Sequence, residues 1–108
     1  MAMKWVQGCW NALLGAGALS DTEARAAPPA GQCHYITDLT LFGGSSAAGA
    51  WTIKSGSTTL LTIYTGTNAS VNVHFRVPVK CVAGANINVT HAASTAANAF
   101  IGGFTDRG

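Results

Sequence analysis

Short runs of alternating apolar and polar residues, separated by clusters of small residues, constrain this chain more than any other feature. In "VNVHFRV", residues 71–77, apolar side chains take every second position, with Asn, His and Arg between them. This period of two is that of a β-strand with one buried face. Clusters of Gly, Ser, Ala and Asn recur about every ten residues, as in antiparallel sandwiches. We therefore predict an all-β chain, a single antiparallel, jelly-roll-like β-sandwich with an extended N-terminal arm.

The other strand patterns are shorter. "WTIKSGSTTLLTIY", residues 51–64, predicts a hairpin whose turn is "SGST". "NINVTH" and "NAFIGGF" predict two more strands, with a bulge or bend at Gly102–Gly103. Before residue 33 the pattern is weak and indicates a strand near residues 5–10 and another near 22–27. The expected division is residues 1–20 as an arm or added strand, and residues 21–108 as the sandwich.

The alternation also predicts which side chains form the core and which are available to partners. A sandwich of this size needs only one or two buried tryptophans, so at least one of the three in the chain is expected at an interface, with a core position for all three as the alternative. The interface candidates are Trp5, Trp10, Trp51 and Tyr64. The predicted core residues are Tyr35, Leu39, Leu41, Val71, Val73, Phe75 and Val77.

Charged residues are scarce: they make up 9% of the 108 residues, against about 25% in an ordinary domain. Such a surface is easily desolvated and suits lasting contact with other subunits. The six basic residues are scattered and form no stripe, so nucleic acid is not an expected partner. The N-terminal apolar run is interrupted and too short to span a bilayer, so no membrane association is expected either.

The sequence offers little catalytic or metal-binding chemistry. His34 and Asp38 lie on one side of a predicted strand, but four strand residues separate them by roughly 13 Å, too far for a dyad. His74 and His91 could meet across neighbouring strands, yet further metal ligands are missing. The three cysteines show no metal-ligand spacing, and whether any two form a disulfide stays open. We expect no catalytic residue, no metal, no cofactor and no enzymatic activity.

Five segments together resemble a family of small all-β structural proteins of tailed bacteriophages. They are "APPAGQCHYITDLTL", "WTIKSGSTTLL", "VNVHFRVPVKC", "NINV" and "NAFIGGFTDRG", which follow in the family's order and cover about residues 20–108. The chain departs from the family pattern at Cys33, where members carry a basic or aliphatic residue, and at Val79 and Cys81, where members carry a "P-L-x-G" turn.

The resemblance implies a virion structural protein, such as a capsid decoration or cement protein. It would be assembled in the host cytoplasm, bind the major capsid protein at the capsid surface, and associate with itself, with a homotrimer expected. A different class of function is also open, namely a carbohydrate- or receptor-binding β-module of a phage tail or fibre that makes contact through Trp51, Tyr64 and the Gly/Ser loops.

Overall fold

Eight strands build the protein in a computed structural model that describes residues 9–17, 21–43, 49–66, 69–91 and 97–107. The strands, in chain order, are β1 (Cys9–Gly17), β2 (Thr22–Arg25), β3 (Gln32–Phe42), β4 (Gly49–Ser55), β5 (Thr58–Thr65), β6 (Ser70–Lys80), β7 (Ile87–His91) and β8 (Ala97–Arg107). Within the predicted 1–20 segment, residues 9–17 thus form β1, and the remaining residues lie outside the described part of the chain.

The strands form two four-stranded antiparallel sheets. One sheet, the first sheet below, has the order β1-β8-β3-β6, and the second sheet has the order β2-β7-β4-β5. This arrangement of the strands in two sheets is that of an eight-stranded jelly roll. The predicted all-β, antiparallel, jelly-roll-like sandwich is therefore confirmed. Among the residues described, no helix is long and apolar enough to cross a membrane.

The predicted hairpin is also present. β4 and β5 pair antiparallel, with Ser55 opposite Thr58 at the turn end. Gly56 in this turn has a φ of 60°, a left-handed conformation that glycine adopts without a steric penalty. Its N–H donates to the carbonyl of Asn86 at 3.0 Å, which ties the hairpin to the neighbouring loop.

The core lies between the two sheets and is closed by apolar side chains from both. Trp51 is completely buried, and Trp10 is 7% exposed. The other buried members of the cluster are Ile36, Leu39, Leu41, Ile53, Cys81, Ile87, Val89, Ala99 and Ile101. Val73 and Phe75 are partly buried and pack against this cluster, and Val71 is also partly buried.

A β-bulge at Thr37 changes which side chains of β3 point into the core. The register of β3 with both β6 and β8 shifts between Ile36 and Asp38. Because of this extra residue, Ile36 and Leu39 both point into the core although their numbers differ by three. The predicted core position of Tyr35 is wrong: Tyr35 is partly exposed, stacks on Phe104, and donates its hydroxyl to the carbonyl of Arg107 at 3.0 Å.

The strand β6 carries the matching distortion. Val79 pairs with Ile36 and His74 pairs with Asp38, so residues 75–78 face a single residue of β3. Pro78 lies in this segment and has no N–H for a ladder hydrogen bond. The predicted core position of Val77 is wrong, because the distortion turns its side chain outward and leaves it 78% exposed.

Candidate functional site

A directed chain of hydrogen bonds joins strands β1, β8 and β3 to the loop that follows β2. The carbonyl of Ala26, which can only accept, lies 2.7 Å from Nε2 of His34, so Nε2 carries the imidazole proton. Nδ1 of His34 then accepts from the hydroxyl of Thr105 at 2.7 Å, and that hydroxyl accepts the indole N–H of Trp10 at 3.0 Å. Each polar atom in this series of hydrogen bonds therefore meets a partner of the complementary kind, donor against acceptor.

His34 is held in its neutral form by this environment. Its side chain is 2% exposed, and burial is the largest influence that lowers its pKa below the usual 6.5. The hydrogen bond to Ala26 opposes this shift, while the charge of Arg25 adds to it. The Trp10 ring also meets the imidazole edge-on, with 5.4 Å between ring centroids. Both ring nitrogens are therefore engaged, Nδ1 by a hydroxyl and Nε2 by a carbonyl.

The His34 environment predicts a loss of stability in mild acid. A lowered pKa in the folded state means that the unfolded chain binds the proton first, so the contribution is complete above pH 6.5 and declines as the pH falls from 6.5 towards the folded pKa. The limiting slope from this one group is about 1.4 kcal/mol per pH unit. Urea unfolding at a series of pH values from about 7.5 to about 5 should show it.

A His34→Gln variant provides the control for that measurement, because glutamine does not titrate. We expect the variant to be less stable overall but to lose less stability between neutral and mildly acidic pH than the parent chain. An equally steep decline in both proteins would assign the pH dependence to other groups.

A cleft of about 300 Å³ opens beside the hydrogen bonds of His34 and Thr105. It is lined by Arg25, Ala26, Ala27, Pro28, Pro29, Gln32, His34 and Thr105. The Arg25 guanidinium lies 5.4 Å from the centroid of the Trp10 ring, which fixes the cation at the rim. The described residues contain no group of three or more His, Cys, Asp or Glu that could hold a metal ion. The cleft can therefore hold a small polar group.

Asp38 pairs with His74, and not with His34, the histidine nearer to it in the sequence. Its Oδ1 lies 2.5 Å from Nδ1 of His74 across the β3–β6 pair, and Thr37 donates to its Oδ2 at 2.9 Å. These two hydrogen bonds, that of His74 first, lower the pKa of the Asp38 carboxyl. The prediction that His34 and Asp38 do not pair is confirmed. Both partners of the observed pair are well exposed, so we expect it to add little stability.

The other candidate ligands were the pair His74 and His91 and the three cysteines, of which Cys33 and Cys81 are buried and Cys9 is exposed. His74 lies on the first sheet, whereas His91 is buried on the second sheet with its ring 4.4 Å from that of Trp51, centroid to centroid. The cysteines are all thiols. The Cys81 N–H donates to the carbonyl of His34, and burial is the main reason that the pKa of the Cys81 thiol is raised to about 11.

The predicted interface residues separate into buried and exposed ones. Trp5 lies outside the described residues. Trp10 and Trp51 are core residues whose indole N–H groups bond to Thr105 and Thr65, so their interface assignment is wrong. Their large apolar rings bring more stability inside a small sandwich than at its surface. Tyr64 is 74% exposed, and its interface role stays a prediction.

An apolar patch on the outer face of the first sheet was not anticipated from the sequence. Leu13 of β1 pairs with Phe100 of β8, and the two side chains are 76% and 37% exposed. Asn11 is exposed on the same face, whereas Gly102, which pairs with it, is buried next to Asp38 and Phe100. We call Leu13, Phe100 and Asn11 the β1–β8 patch. Alternation placed Phe100 on a strand, but the partner strand that sets its surroundings could not be read from the sequence.

No family model matches this chain, and no curated protein matches it. Among solved structures, it is similar to the C-terminal family 22 carbohydrate-binding module of a Clostridium thermocellum protein, at 14% identity and a TM-score of 0.45 over 94% of this chain and 87% of that one. The coat protein of Tobacco streak virus is similar at 10% identity and a TM-score of 0.40, over 95% and 90% of the two chains. The Drosophila NLP core is similar at 12% identity and a TM-score of 0.41, over 88% and 98%. Similarities this distant do not identify a family.

Proposed function

We propose that this chain is a structural protein of a bacteriophage virion, a capsid decoration protein that binds the major capsid protein and other copies of itself. The observation that carries the proposal is the β1–β8 patch, in which Leu13 and Phe100 face solvent. β1 contains no charged residue, and β8 contains charges only at Asp106 and Arg107. An uncharged, partly apolar strip of this kind is easily desolvated against a partner.

In the proposed mechanism, binding of this protein shifts the equilibrium of the capsid towards the assembled shell. A subunit that binds only the assembled shell stabilises it, because each bound copy would have to dissociate before the shell could come apart. The jelly-roll sandwich suits this role, since it is a fold of viral capsid and lectin domains and needs no chemistry at the contact. The sequence resemblance to small phage structural proteins supports the same assignment.

The test is the occupancy of this chain on purified particles, measured by quantitative mass spectrometry. We expect many copies per particle, and little change when the salt concentration rises from about 0.1 M to about 1 M, because few charges contribute to the contact. Leu13→Asp should remove most of the bound protein. Asn88→Asp, on the second sheet, is the matched control and should bind like the parent. A steep salt-dependent loss, or full occupancy by Leu13→Asp, would exclude the β1–β8 patch as the contact.

The second candidate is a carbohydrate- or receptor-binding module of a phage tail or fibre. The exposed ring of Tyr64 favours it, because aromatic rings at a surface can stack on sugars. Trp51, the other aromatic residue expected in that contact, is fully buried. A few copies per particle, together with sugar binding that is lost in Tyr64→Ala, would favour this function over decoration.

A further inference from the structure

The strands at the four edges of the sandwich differ in how well they are protected against pairing with another chain. β6 carries Arg76, Pro78 and Lys80 together with a pronounced bulge, all of which hinder pairing. β2 is four residues long and contains Glu23 and Arg25. These two edges have the features by which natural sheets avoid adding strands.

β5, "TTLLTIYT", has neither the charges nor the proline, and its one register shift with β4 lies at Leu60, near its start. It is eight residues long, contains no charged residue and no proline, and consists of residue types that favour strands. It pairs with β4 along one edge, and no strand in the described part of the chain pairs with its other edge. Thr59, Thr62 and Tyr64 are exposed along it.

β1 is the other uncharged edge strand, but it is less suited to extension. Its register with β8 shifts between Leu14 and Gly17, and it contacts β2 at the corner where the two sheets meet. Glycines at positions 15 and 17 weaken a strand further. Residues 61–65 of β5 pair regularly with β4 and contain no glycine, so β5 is the edge better suited to adding a strand.

We infer that β5 pairs antiparallel with β5 of a second copy of this chain, which joins two four-stranded sheets into one continuous sheet of eight strands. The occupant is a second copy because the strand is self-complementary: with no charge, it meets itself without like-charge repulsion, whereas a charged partner strand would lose its hydration against it. A register centred on Thr62 would place Leu61 opposite Ile63 of the second copy, both on the core side.

An antiparallel strand pair of this kind has two-fold symmetry, so it predicts a dimer where the sequence led us to expect a trimer. The inference depends on the proposed function only for its biological role, as one of the self-contacts of a decoration protein. The β5 contact should form in the purified protein and is tested without particles. The dimer could therefore be disproved while the decoration function stands, and the reverse is also true.

Sedimentation equilibrium of the purified chain tests the contact. We expect a dimer, and self-association weakened about tenfold or more by Thr62→Lys, because the substitution brings two ammonium groups together at the centre of the pair. Asn72→Lys, at an exposed position of the protected edge strand β6, is the matched control and should dimerise like the parent. A monomer at all concentrations, a trimer, or a dimer unaffected by Thr62→Lys would overturn the inference.

Amide hydrogen exchange of the unmodified chain provides a second measurement that does not depend on how a variant folds. Pairing protects the outward N–H groups of residues 58–65, so their exchange should quicken on dilution below the dissociation constant while the amides of β3 stay protected. Exchange in β5 that is fast at every concentration would also overturn the inference.

Discussion

Gly103→Ala is expected to lower the free energy of unfolding by about 3 kcal/mol or more, a large part of the total stability of a small domain. A Cβ atom at position 103 would overlap the carbonyl oxygen of Tyr35 and lie 2.9 Å from Cζ2 of Trp10. The first obstacle is backbone in the neighbouring strand, which cannot move without breaking the ladder. The second is a buried ring, whose displacement would pull its N–H away from Thr105.

The adjacent glycine supplies the matched control. A Cβ at Gly102 would point to the outer face, where its nearest neighbour is Oδ2 of Asp38 at 3.7 Å, an ordinary van der Waals distance. Gly102→Ala should therefore change stability by less than about 1 kcal/mol. Urea unfolding followed by circular dichroism compares the two variants directly. Equal stabilities would mean that β8 shifts to make room for the new methyl group, and that Trp10 is not fixed against it.

These two glycines show how far the sequence determined the fold and where it did not. Alternation identified the strands from residue 33 onward, and "IGGF" was expected to contain a bulge or bend. In the structure the register irregularity lies opposite, at Thr37 of β3, and Gly103 instead allows the Trp10 ring to approach the backbone. A glycine in a strand is compatible with either role, and only the partner strand decides between them.

The buried site was beyond prediction for a related reason. The sequence placed His34 on a strand with Asp38, but its partner Thr105 is 71 residues away, and Trp10 reaches the same hydroxyl from the other end of the chain. The shift at Thr37 also separates His34, which is buried, from Asp38, which faces outward to His74. Strand patterns specify which residues alternate, whereas the bulges and pairings that bring distant residues together depend on packing across the whole sandwich.

The core role of Trp51 leads to the other large effect. Trp51→Ala should lower the free energy of unfolding by about 3–5 kcal/mol, because a fully buried indole leaves a cavity that the two sheets cannot close. The substitution also leaves the hydroxyl of Thr65, which is 3% exposed, without the N–H that it accepts at 3.0 Å. The free energy of unfolding of Trp51→Phe should lie between those of the parent and Trp51→Ala, since phenylalanine fills much of the volume but loses the hydrogen bond.

Tyr64→Ala is the control that connects this stability measurement to function. Tyr64 lies on the same hairpin as Trp51 but is 74% exposed, so its removal should change stability by no more than about 0.5 kcal/mol. Chemical denaturation of the three variants and the parent, with sugar binding measured on those that remain folded, separates a core role from a binding role. If Trp51→Ala kept the stability of the parent and lost only sugar binding, the indole would belong to a ligand platform, and the carbohydrate-binding function would replace capsid decoration.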